Sequence, residues 1–170
     1  MDTIIFFDLE NTLIWDWIDN PRLMCSRHPE ISDWIKAQGT FRAGLFSWAV
    51  WNDHDVEVFN RPGGIRDDIE ITHKFKFDDN LIITRDLLFD KFRVWLKMPF
   101  LRHSDEVFDF FKKRQTIQEL WLREFNQPNT RVILLDDTVE PMTMINHRVE
   151  NNRLELVDPW SFIKEEKLWP

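Results

Sequence analysis

The chain has one cysteine, Cys25, in 170 residues. A single thiol excludes an intramolecular disulfide framework and permits a reducing compartment. No apolar run approaches the roughly 18 residues that read as a membrane span. Met1-Asp2-Thr3 is not the basic start of a signal peptide. The expected location is therefore the cytoplasm, with no membrane contact. Basic residues are in deficit, with 22 Lys and Arg against 30 Asp and Glu, for a formal net charge of −8. This argues against broad, non-specific nucleic-acid binding, which needs a basic footprint. It leaves room for a local basic pocket, or for a phosphorylated substrate held through a metal. Glycines number four, and Pro62-Gly63-Gly64 is too short for a phosphate-cradling loop. There is no internal repeat, low-complexity segment or interdomain linker, so the length fits one domain over 1–170.

What is present is apolar and aromatic. Hydrophobic residues make up 43% of the chain, with 15 Phe and 9 Trp, ample for a core. Ile4-Ile5-Phe6-Phe7 reads as a strand buried on both faces, as in a parallel sheet. Asp8, Glu10, Asn11 and Thr12 follow at once. They fall at the carboxyl end of that strand, where open α/β sheets carry their sites. A second buried-type run, Arg131-Val132-Ile133-Leu134-Leu135, ends in Asp136-Asp137-Thr138. Two such strands would bring three or four carboxylates into one crevice, where they repel without a counter-charge. A hard cation such as Mg2+ relieves that repulsion, and so would Lys or Arg.

Between these strands, residues 29–38 read as a helix stopped by Gly39, with Ile31, Trp34 and Ile35 on one face. Arg42 to Ala49 reads as a strand whose end carries the Ser47 hydroxyl, and 49–59 as a helix. Ile69, Ile71, Phe75 and Phe77 suggest extended alternation, Leu81 to Thr84 a short strand, and Arg85 to Met98 a helix. Residues 60–104 are taken together as an insertion or elaborated crossover. A helix is expected over about 105–125, carrying Lys112 and Lys113, and a short strand at Leu154 to Val157. Asp67-Asp68 and Asp78-Asp79 read as turns. Helices alternating with buried-type strands give an α/β class with a mainly parallel sheet.

The ordered set Asp8-Leu9-Glu10-Asn11-Thr12, Leu45-Phe46-Ser47, Lys113 (or Lys112) and Leu134-Leu135-Asp136-Asp137 resembles the haloacid dehalogenase superfamily of phosphatases and phosphotransferases. Asn129-Thr130 before the last strand and the Leu13-Ile14-Trp15 continuation are similar to its small-capped branch. That branch includes protein phosphatases and the magnesium-dependent phosphatase group. The resemblance covers the motifs over most of the chain but not residues 60–104. It implies a Rossmann-like sheet with helices on both faces and small cap or insertion elements. It also implies a Mg2+-dependent phosphohydrolase acting on a phosphomonoester: a nucleotide, a phosphometabolite, a phosphoprotein or a nucleic-acid end. By the same resemblance Asp8 is the nucleophile that forms an aspartyl-phosphate, and Glu10 is the acid/base. Asp8, the backbone carbonyl of Glu10, Asp137 and, behind it, Asp136 form the metal site. Ser47 and Lys113 hold phosphate oxygens, and Thr12 steadies the loop.

One position departs from the family pattern. The usual acid/base there is an Asp two residues after the nucleophile, and here it is Glu10, one methylene longer. General acid–base chemistry requires hydrogen-bond reach to the leaving oxygen. The departure motivates an alternative, a non-catalytic protein that keeps the phosphate or nucleotide pocket without turnover. A phosphoacceptor signalling domain uses the same residue types but in the reverse order. Trp15, Trp17, Trp48 and Trp51 flank the expected site and could stack on a base or sugar, though packing is the commoner use of such residues.

Overall fold

A computed structural model of the chain describes residues 2–102, 104, 113–125, 127, 129–138, 144–145 and 153–165. Its strands are β1 (Asp2–Phe7), β2 (Arg42–Phe46), β3 (Phe77–Ile83), β4 (Thr130–Leu135), β5 (Met144–Ile145) and β6 (Arg153–Val157). The helices are α1 (Glu30–Ala37), α2 (Asp53–Phe59), α3 (Ile65–His73), α4 (Arg85–Trp95) and α5 (Lys113–Leu120), the last running on as a π turn over Trp121–Phe125. They build one sheet in the order β3-β2-β1-β4-β6-β5. Five strands are parallel, and the two-residue β5 pairs antiparallel with β6 at one edge. This is the expected α/β, Rossmann-like architecture. No helix among the described residues is long and apolar enough to cross a membrane.

The continuous apolar runs of β1 and β4 arise because both faces of the sheet are covered. Ile4 and Phe6 point into a core shared with Leu88, Phe89 and Phe92 of α4 and Ile117 and Leu120 of α5. Ile5 and Phe7 point the other way, against Ile31 and Ile35 of α1, Phe59 of α2 and Ile69 of α3. Phe6 and Phe7 are fully buried, and each such side chain contributes about 1.5–3 kcal/mol. Phe6 needs Gly44 beside it in the register. A Cβ there would lie 2.5 Å from the Phe6 ring and 2.9 Å from the Leu81 carbonyl oxygen.

The local signals behave as their chemistry predicts. Asn52 and Thr84 cap α2 and α4 by accepting the backbone N–H of Asp55 and Leu87, each at 3.1 Å. Gly39, at φ +73°, follows the last turn of α1. The region expected as an insertion or elaborated crossover, 60–104, contributes β3 to the sheet itself, between α3 and α4. Ile69 and Ile71 are helical rather than extended. Ile69 is buried and Ile71 exposed, a pattern that period-two reading mistakes for a strand. Asp78 and Asp79 lie in β3 rather than a turn, paired with Arg42 and Arg66. Asp67 and Asp68 form the first turn of α3. The 105–112 part of the expected helix, with Lys112, lies outside the described residues.

Candidate active site

Strand order decides where chemistry can gather. The chain leaves β1 for β2 on one side, while β4 lies on the other. Their carboxyl ends therefore border a crevice at the point where the order reverses. Asp8 follows β1 and Asp136 and Asp137 follow β4, in register through Phe7 and Leu135. One carboxylate oxygen of each of these three aspartates lies within 4.8 Å of the others.

Lys113, the first described residue of α5, reaches into this group. Its Nζ donates to Asp8 Oδ1 at 2.7 Å and lies 2.6 Å from Asp136 Oδ2. The second contact is an ion pair without hydrogen-bond alignment. The other oxygen of Asp136 accepts the Thr138 N–H at 2.8 Å and the Thr138 hydroxyl at 2.7 Å. Thr12 ties the two strand ends together. Its hydroxyl donates to Asp8 Oδ2 at 3.2 Å and accepts the Asp137 N–H at the same distance.

The electrostatics follow from burial. The Lys113 and Asp8 side chains are 4% and 5% exposed, and Asp136 is fully buried. Burial, then the Asp136 charge, pushes the Asp8 carboxyl up to about 8, against the pull of Lys113. Burial alone would lower the Lys113 pKa, but Asp136 and then Asp8 outweigh it and hold the ammonium charged. One ammonium thus meets Asp8 and Asp136, with the Asp137 carboxyl beside them. This donor set of hard oxygens, short of positive charge, fits Mg2+. Each of the three aspartates could offer such an ion one oxygen.

Glu10 is not part of the cluster of three aspartates, and its main electrostatic neighbour is Asp16. Burial, then the charge and hydrogen bond of Asp16, raises the Glu10 pKa; the Trp17 N–H on the same carboxyl works the other way. Asp16 itself is lowered, because it accepts the backbone N–H of Asp19 at 2.7 Å and of Ile18 at 2.9 Å. The pair thus shifts in opposite directions, Glu10 up and Asp16 down. Asp16 was not singled out in the sequence. Its only signal is turn chemistry ahead of Asp19-Asn20-Pro21, which says nothing of Glu10.

Ser47 lies at the end of β2 on the same sheet edge, buried. Its hydroxyl accepts the Ala49 N–H at 3.3 Å, which is ordinary turn chemistry. Of the four flanking tryptophans, Trp15 packs edge-on to His28, and both Trp15 and Trp17 lie against the α1–α3 side of the core. Trp48 packs on the other core. Its ring centroid is 5.5 Å from Lys113 Nζ and 5.9 Å from Arg85 Cζ. Comparison with protein-family models, with curated proteins and with solved structures finds no match.

Proposed function

We propose that the chain is a Mg2+-dependent phosphohydrolase of the haloacid dehalogenase type, acting on a phosphomonoester through an aspartyl-phosphate. The observation that carries this reading is the convergence of Asp8, Asp136 and Asp137 at a switch point, with the Lys113 ammonium on the first two. Bound Mg2+ would offset the charge of the phosphate and of the carboxylate that attacks it.

The residues of the chain supply the remaining steps. A carboxylate oxygen of Asp8 attacks phosphorus as the ester P–O bond breaks. Glu10 passes its proton to the leaving oxygen. The resulting carboxylate then takes a proton from water, whose oxygen attacks phosphorus. The Asp8–phosphorus bond breaks, releasing inorganic phosphate and restoring Asp8. Lys113 holds phosphate charge as it builds in each transition state. Thr12 keeps Asp8 aimed and tied to the Asp137 backbone. Burial and Asp16 both push the Glu10 pKa upward, the direction a general acid needs, and this favours a working acid over the non-catalytic alternative.

Phosphate release from phenyl phosphate and glycerol phosphate, with and without millimolar Mg2+, tests the proposal. Turnover that requires Mg2+ supports it. Binding of a phosphate mimic without turnover of either ester would leave the binding-protein alternative in its place.

A further inference from the structure

Trp51 is a large aromatic residue left 37% exposed four positions beyond Ser47. An exposed indole is unremarkable when it is loose, but the backbone that carries this one is fixed. The Trp51 backbone N–H donates to Asp55 Oδ2 at 2.8 Å, and the Trp51 backbone carbonyl accepts the Asp86 N–H at 3.0 Å. The Arg85 N–H holds the preceding residue, Val50, at 3.2 Å. The loop after β2 is thus clamped to the start of α4.

The ring is backed as well. The buried Arg85 guanidinium stacks over it, 3.6 Å from the ring centroid. The same guanidinium lies near Trp48, whose ring in turn neighbours Lys113 Nζ. From the proposed phosphate position outward the order is therefore Lys113, Trp48, Arg85, Trp51. A guanidinium stacked on an indole holds it by cation–π attraction. The result is a partly exposed π surface linked to the proposed anion site through Arg85 and Trp48. Ordering costs that would otherwise weaken binding are already met by the fold.

We propose that Trp51, backed by Arg85, is a stacking platform that selects phosphomonoesters whose organic part carries a flat aromatic ring. This rests on the phosphohydrolase reading for the position of the phosphate. Two sources share the chemistry. In an aryl phosphate the ring is attached to the ester oxygen, and in a nucleoside monophosphate a sugar separates them. Trp48 next to Lys113 suits a near ring and Trp51 a farther one, so the two sources should differ in their dependence on Trp51.

The test measures binding and kcat/KM for adenosine 5′-monophosphate, phenyl phosphate and glycerol phosphate, using wild type, Trp51→Ala and Trp51→Phe. Wild type should prefer the ring-bearing esters to glycerol phosphate. Trp51→Ala should weaken the preferred ring-bearing ester about tenfold, as stacked bases typically lose on such truncation. Glycerol phosphate should be unaffected, and Trp51→Phe should recover most of the loss. Selective loss for the nucleotide assigns it as the source, and selective loss for phenyl phosphate assigns the aryl ester. Equal loss for all three esters, or no preference in wild type, would overturn the platform and leave Trp51 a purely structural role. Ring-selective binding that depends on Trp51 but comes without turnover would keep the platform and remove only the catalytic reading.

Discussion

Replacing Lys113 by Met isolates the counter-charge at the centre of the site. Met keeps much of the side-chain volume and removes the ammonium that meets Asp8 and Asp136. Both partners are almost wholly buried, so water cannot take over their solvation. Removing one member of a buried pair costs about 3–5 kcal/mol, which for a chain of this size lowers Tm by roughly 6–20 °C. The cost should depend on pH in a definite direction. The folded-state pKa of Asp8, about 8, lies above its ordinary value of 3.8. The folded protein thus holds this proton more tightly than the unfolded chain does. The stability it contributes is complete below about 3.8 and is lost as pH rises through about 8. Without Lys113 the folded pKa climbs further, so the variant loses stability more steeply than wild type. Urea unfolding of both proteins without metal should show a smaller difference at pH 5 than at pH 8.5. A cost below about 1 kcal/mol at pH 8.5 would refute the buried ion pair. A cost constant from pH 5 to 8.5 would refute its link to Asp8.

Asp8→Asn should abolish turnover and beryllium trifluoride binding while keeping the fold. Saturating Mg2+ should raise the Tm of wild type, with about 2.7 kcal/mol expected at a hundred times Kd, but not that of Asp8→Asn combined with Asp137→Asn; equal shifts would place the ion elsewhere. Gly44→Ala should cost about 1–3 kcal/mol in denaturant unfolding, because the new methyl meets the Phe6 ring and the Leu81 carbonyl; an unchanged midpoint would show that Phe6 can move aside. Glu10→Gln should slow hydrolysis of glycerol phosphate about 100- to 10,000-fold while sparing the first-step burst with an activated aryl phosphate; equal loss in both would remove Glu10 as the general acid.

How much of this was legible depended on the range over which each signal acts. Strands β1 and β4 could be read because burial on both faces demands unbroken apolar runs, and the acids after them broke those runs sharply. The crevice then followed from topology. Lys113 was legible only through motif order, since 105 positions separate it from Asp8 and nothing local marks the side of α5 that enters the core. Region 60–104 was obscured by edge-strand chemistry. Asp78 and Asp79 sit in β3 because Arg42 and Arg66 meet them across the fold, whereas in sequence an acidic pair reads as a turn. The Arg85–Trp51 stack joins a loop to a helix start 34 positions away, and no periodicity encodes such a contact.

The longer acid at position 10 gains a physical account from its surroundings. The chain after β1 does not simply turn into solvent. Bridges join Glu10 to Ile14 and Ile14 to Leu23, and Leu13 accepts the Met24 N–H at 2.9 Å. Asn11, at φ +55°, makes the reversal, with its N–H on the Ile14 carbonyl at 2.8 Å. From across the fold, the Trp160 indole N–H donates to the Asn11 carbonyl at 3.0 Å. Both sides of the residue after Glu10 are thereby fixed, so the backbone at position 10 has little freedom to shift. A side chain one methylene longer must then find its place by its own contacts, and Asp16 provides one. Two backbone N–H groups hold the Asp16 pKa down, and burial, then the Asp16 charge, raises that of Glu10. The extra length and the added partner therefore belong together, and an Asp at position 10 would sit one methylene farther from the group that raises its pKa.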